Sequence, residues 1–156
     1  MNALYPLLPR DGSFVHAIEC VTNGTRVVLP AEAVERIVEY DVSPLPLAGP
    51  WVSGLAAHDA GVIVSVRLEL TARNGRATKR RAKAALLTGS STTRTRWAVE
   101  IDEVLSLVHV KAGRVDPRAE GEGDAPPWLA SAITADGRTV RCLDTAFMLR
   151  SLGVEA

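Results

Sequence analysis

Asn23-Gly24 separates two apolar runs, and few local signals restrict a chain as tightly. Both residue types tolerate positive φ, which the tightest β-hairpin turns require. The run before the step, SFVHAIECV (13–21), alternates in kind. Phe14, His16, Ile18 and Cys20 fall on one face, and Val15, Ala17, Glu19 and Val21 on the other. A period of two marks a strand with one well-buried face. RVVL (26–29) then returns as the second strand of a hairpin.

The same punctuation recurs along the chain. PAEAVERIVEY (30–40) is the early exception. Ala33, Val34, Ile37 and Val38 recur at helical spacing opposite Glu32, Glu35, Arg36 and Glu39, and Pro30 suits a first turn. The spacing predicts a short amphipathic helix over 30–40. SPLPLAGP (43–50) carries too many prolines for regular structure and reads as a connector. WVSGLAA (51–57), a polar corner at His58-Asp59 and GVIVSVRLEL (61–70) follow. In residues 67–83, Arg67, Arg73, Arg76, Lys79, Arg80, Arg81 and Lys83 face a single acid, Glu69, which predicts a mobile surface loop. AKAALLT (82–88) and RWAVEI (96–101) form a further hairpin around GSSTTRT, and DEVLSLVHV (102–110) continues as apolar strand or turn. DPRAEGEGDAPP (116–127) is loop. WLASAITA and RTVRCL flank Asp136-Gly137 as a last hairpin, and Asp144 caps a closing helix, TAFMLRSLG, that stops at Gly153. Many short strands with regular turn signals predict small β-barrels rather than a βαβ sheet.

Composition narrows the function classes. At 156 residues and 47% hydrophobic, the chain can bury the core of one domain, or of two small lobes that share it. Lys+Arg and Asp+Glu both count 18, which argues against a general binder of nucleic acid or membrane surfaces. Cys20 and Cys142 lie far apart inside apolar runs and read as buried small hydrophobes. No apolar run approaches a membrane span, and MNALYPLLPR lacks a basic leader, so a soluble cytoplasmic protein is expected.

The tests for chemistry fail one by one. His16, His58 and His109 have no His or Cys at ligand spacing, so no metal is expected. The hydroxyls of TGSSTT lack a nucleophile elbow, and no phosphate-cradling glycine pattern occurs. The basic stretch 67–83 has no aromatic residue on which bases could stack. No catalytic residue and no cofactor is predicted. Trp51 and Trp128 each follow proline and precede a turn and a strand (GPWVSGL, PPWLASA), which hints at an internal duplication. Each reads as a core anchor at a barrel mouth or as an interface anchor.

The ordered set of these pieces resembles the CheW-like adaptor domains of bacterial chemosensory systems. The resemblance rests on LPAEAVERIVEY (29–40), PLPLAGPWVSGLAAHDAGVIVSVRLEL (44–70), AVEIDEVLSLVHV (98–110) and PPWLASAITADGRTVRCLDTAFML (126–149). It covers about residues 13–152, leaving 1–12 as an N-terminal extension and 153–156 as a tail. It implies a mainly β fold of two intertwined five-stranded SH3-like barrels, with no enzymatic activity and no cofactor. It implies a scaffold that joins a chemoreceptor signalling tip to the regulatory domain of a CheA-type histidine kinase, with other CheW-like domains as further partners. It also implies association with receptor arrays, without membrane insertion.

The departures from the family pattern cluster at one corner. Over GVxNLRGxVxPVxDL, Gly54 matches the first glycine, while Asp59 stands at the arginine, Ala60 at the second glycine and Arg67 at the closing acid. Arg36 stands at an acid of the helix motif. Alanine accepts positive φ poorly, so either Gly61 takes over that duty or the turn differs in shape. The exchange of Arg36 and Asp59 is either an ion pair kept with reversed polarity or a change of partner recognition. An exposed pair stabilises by only about 0–1 kcal/mol, which favours recognition. Val34, Arg36, Ile37, Trp51, Gly54, His58, Asp59 and Ala60 are therefore the candidate partner-binding residues. A second reading, a small-barrel binder of an anionic partner, would use Arg73, Arg76, Lys79, Arg80, Arg81 and Lys83.

Overall fold

Strand β1 (Val15–Thr22) and strand β2 (Thr25–Pro30) pair antiparallel, with Thr22 directly opposite Thr25 and Gly24 at φ 80° in the turn. The hairpin thus falls where the sequence implies, and Asn23 itself lies outside the described residues. The computed structural model describes residues 11–22, 24–45, 51–58, 61–68, 80–88, 95–113 and 129–152. After β2 come β3 (Val34–Val42), β4 (Val52–His58), β5 (Gly61–Val66), β6 (Arg80–Leu87), β7 (Thr95–Ile101), β8 (Glu103–Ala112), β9 (Leu129–Thr134), β10 (Thr139–Leu143) and helix α1 (Thr145–Ser151).

Two five-stranded sheets result. Barrel A closes in the order β1-β2-β10-β9-β8, and sheet B runs β3-β6-β7-β5-β4. A bridge between Ser43 and Leu55 ties the two edges of sheet B and curls it into the second barrel. The chain enters barrel A, builds all of barrel B from contiguous sequence, and returns to finish A. The barrels are therefore intertwined, as the resemblance implies.

The two barrels share one topology. In A, β2 pairs parallel with β10; in B, β7 pairs parallel with β5. All other neighbours are antiparallel, so β8, β9, β10, β1 and β2 correspond in turn to β3 through β7. The Pro-Trp steps precede β4 and β9, which are corresponding strands. The short sequence hint of duplication thus lands on equivalent places in the two barrels, although Trp128 itself lies outside the described residues. Each barrel also has one close crossing. A Cβ on Gly54 would sit 2.2 Å from the Ser43 carbonyl oxygen, and one on Gly113 would sit 2.3 Å from Ser131 Oγ. Only glycine allows backbones that near.

Three cores hold this together. Ala17, Val28, Val110, Ala132, Val140 and Cys142 fill barrel A, and Tyr40, Val42, Ala56, Ile63, Ala84, Leu86 and Ala98 fill barrel B. The largest core is shared: Cys20, Val27 and Leu29 of A meet Val66, Leu87, Val99 and Ile101 of B, closed over by Met148 and Leu149 of α1. Each fully buried leucine there contributes about 1.5–3 kcal/mol. Both cysteines are free and buried, and burial pushes the Cys20 thiol up to about 12, helped by the charges of Glu19 and Asp102. They are core residues, as expected.

The early helix is a correction. Only Ala31–Ala33 turn, as a single 3-10 segment, and Val34–Val42 is strand. The register of β3 against β6 shifts between Val34 and Arg36. That bulge adds one residue to a period-two stripe, so the apolar positions mimic helical spacing. Val34 packs on the shared core and Val38 on barrel B, while Ile37 points out. A second bulge, between Glu19 and Cys20, explains the face change in β1. Ala17 and Glu19 are buried before it and Cys20 and Thr22 after it, whereas Phe14 and His16 are exposed.

The closing helix forms where expected. Asp144 Oδ1 accepts a 3.0 Å hydrogen bond from the Phe147 N–H, satisfying one orphan donor of the first turn. Asp144→Ala should lower stability by about 1 kcal/mol, which thermal unfolding would report as a drop of about 2–4 °C. No change would remove the cap from the account of α1.

Candidate partner-binding surface

Strand β3 carries the predicted site residues in two directions. Tyr40 and Val42 point into barrel B, and Ile37, Glu39 and Asp41 point outward. Ile37 is 38% exposed, a large apolar side chain on a face that is otherwise charged. Arg81 of β6 reaches Asp41 at 3.3 Å and Glu39 at 3.7 Å, so this face is a laced ion-pair network around one apolar residue.

Arg36 turns toward the other end of the barrel. Its Nη2 lies 3.2 Å from Nε2 of His58, the last residue of β4. A guanidinium can only donate, so Nε2 of His58 accepts and the imidazole proton sits on Nδ1. Beside them Arg96 of β7 bonds the Glu35 carboxylate. The sequence reading joined Arg36 to the corner at Asp59, and the structure joins it to the residue next to Asp59. Asp59 and Ala60 lie outside the described residues. His58 pairs with Gly61 across the β4–β5 hairpin.

Trp51 and Gly54 belong to the frame of the site. Trp51 is half-buried against the shared core, and its carbonyl accepts from the Arg67 N–H at 2.9 Å. Gly54 makes the crossing that seals β3 to β4. Val34 is half-buried. Of the candidates within the described residues, Arg36, Ile37 and His58 are the ones whose side chains are offered outward.

The sequence reading missed Glu100. It lies on β7 two residues after Ala98, in the register that faces the inside of barrel B, and is 1% exposed. Ser65 Oγ donates to Oε2 at 2.6 Å, Ser53 Oγ donates to the same oxygen, and Tyr40 OH lies 2.9 Å from Ser65 Oγ. Arg80 meets Oε1 at 2.9 Å and Oε2 at 3.1 Å, and Arg67 meets Oε1 at 3.4 Å. Burial pushes this carboxyl up, but the hydrogen bonds from Arg80, Ser53 and Ser65 and the charge of Arg80 outweigh it and hold it below the usual range. All five strands of sheet B or their ends contribute a group. An acid in the inward register of an apolar strand was the available signal.

This network also revises the basic stretch. Arg80, Arg81 and Lys83 lie on β6, not in a loop. Arg80 and Arg67 hold Glu100, Arg67 also reaches Asp102 at 3.3 Å, and Arg81 holds Glu39 and Asp41. The counter-charges come from distant strands, which a local count of acids does not see. Arg73, Arg76 and Lys79 lie outside the described residues. Among the described residues no group of three or more His, Cys, Asp or Glu is placed to hold a metal ion, and no helix is long and apolar enough to cross a membrane.

The family model for the CheW-like domain matches residues 17–153, which spans both barrels and the closing helix. The chain belongs to the CheW-like family. A chemotaxis scaffold or adaptor role is accordingly its broad functional class. Among solved structures it is similar to the scaffolding protein TtCheW from Thermoanaerobacter tengcongensis, at TM-score 0.57 and 10% identity over 92% of this chain and 88% of that one. That likeness shows the shared CheW-like fold. A comparison with curated proteins gave no match.

Proposed function

We propose that this CheW-like chain is a non-enzymatic adaptor that couples chemoreceptors to a CheA-type histidine kinase, with altered partner specificity at the β3 and β4–β5 corner. The CheW-like match across residues 17–153 carries the reading. Its location is supported by Ile37, exposed on β3, and by the Arg36–His58 contact beside the corner where the chain departs from its family pattern. Reversing charge at a contact turns attraction into repulsion for the ordinary partner, so these positions select partners more than they stabilise the fold.

Titration calorimetry against a CheA regulatory domain and a receptor signalling tip from the same genome tests this. Binding to both makes this an ordinary coupling adaptor and the Arg36/Asp59 exchange a compensated swap. Binding to one only places the loss on the opposite face, and binding to neither reduces the family likeness to fold alone and turns attention to the basic segment. Ile37→Asp should weaken binding of the partner that uses β3 about tenfold or more while leaving thermal stability nearly unchanged. Arg36→Glu, Asp59→Arg and the double variant then separate the two accounts of the exchange. If the double does not restore what the singles lose, Arg36 and Asp59 do not act as a pair.

A further inference from the structure

On the outer face of barrel A, two histidines far apart in sequence meet. His16 of β1 and His109 of β8 are directly opposed in the strand register. Both side chains are exposed, and their ring centroids lie 4.4 Å apart at an interplanar angle of 48°. Spacing along the chain could not reveal this pair, because the register of β1 on β8 creates it.

The distance suits one coordination geometry. A metal–imidazole bond of about 2.0–2.1 Å puts each ring centre about 3.2 Å from the ion. Two imidazoles at a right angle then have centres about 4.5 Å apart, and at a tetrahedral angle about 5.2 Å apart. The observed 4.4 Å matches the right angle. Cis nitrogen ligands at a right angle are what tetragonal Cu2+ and Ni2+ sites use, and Cu2+ binds nitrogen sites most strongly among the first-row divalent ions. Among the described residues no third His, Cys, Asp or Glu joins the pair, so water would take the remaining positions. Ile18 lies opposite Leu107 on one side, and on the other the Lys111 ammonium sits 5.3 Å over the Phe14 ring.

We propose that His16 and His109 form a two-imidazole chelate for a tetragonal divalent ion, Cu2+ or Ni2+, on the outside of barrel A. The ion would join β1 to β8, the strands whose pairing links the N-terminal hairpin to the C-terminal half of the barrel. It is bound without a redox step, and among the described residues no carboxylate joins the two imidazoles.

The test titrates tag-free full-length protein with Cu2+, read by calorimetry and by electron paramagnetic resonance with pulsed detection of imidazole nitrogens. The expected result is a site with two coupled imidazoles. His16→Gln and His109→Gln should each weaken Cu2+ binding about thirtyfold or more, and the double variant should add little to either. Saturating Cu2+ should raise the Tm of the wild type and not of the double variant. Equal affinity in wild type and variants would overturn the proposal. So would a spectrum with one imidazole or none, a readout that needs no variant to fold.

Discussion

Glu100→Ala should lower the unfolding free energy by about 3–5 kcal/mol, measured by urea denaturation. The variant takes the carboxylate acceptor from Ser65 and Ser53, leaving Ser65 with Tyr40 and Ser53 with the Ser65 carbonyl, and leaves two arginines without their shared anion. The Arg67 and Arg80 side chains are 21% and 37% exposed, so water recovers part of their loss and the lower half of that range is expected. The effect carries a pH signature. The folded carboxyl titrates below its ordinary value, so its stabilisation is fully present above the usual carboxylate range of about 4.3. It is lost as pH falls through the depressed folded value. The gap between wild type and variant should therefore be widest at neutral pH and narrow on acidification. A gap independent of pH would show that Glu100 acts by packing alone.

Gly54→Ala should cost about 3 kcal/mol, at the upper end for overpacking. The added Cβ meets backbone, with the Ser43 carbonyl oxygen at 2.2 Å and its carbon at 2.9 Å, so no rotamer change can relieve it. Relief requires β4 to move off β3, which gives up the 2.8 and 2.9 Å hydrogen bonds between Ser43 and Leu55. Those bonds close barrel B. Gly113→Ala offers the internal comparison: its nearest contact is the Ser131 hydroxyl, which can rotate, leaving the Ser131 Cβ and carbonyl carbon at 2.9 Å, so the loss should be smaller though not absent. Equal losses at the two glycines, or none at Gly54, would remove the close crossing from the account of the barrel.

Strands, hairpins and the capped helix were legible because each depends on neighbours in sequence. Asn23-Gly24, Asp136-Gly137 and the Asp144 cap all work within a few residues. The β3 helix was misread because a bulge counterfeits helical spacing, and a bulge is decided by the partner strand. The site was legible in part. Arg36 and His58 were singled out and do meet, but only the barrel brings β3 to β4. Glu100 was invisible among local charges since its partners arrive from 20 to 47 residues away. The same reason made Arg80 and Arg81 look like free surface cations.

The order in which the barrels are threaded has a consequence for how the chain emerges during synthesis. Barrel B occupies one unbroken stretch, Val34 to Ile101, while barrel A needs β1 and β2 from the start and β8 to β10 from the end. On the ribosome, the first hairpin appears long before the strands that flank it. Its Val28 must wait for the strands of barrel A, complete only once translation has passed Leu143, while Val27 and Leu29 wait for barrel B. Barrel B has all its strands well before that point, and its Val66, Leu87, Val99 and Ile101 are the first native surface on which the waiting hairpin can settle.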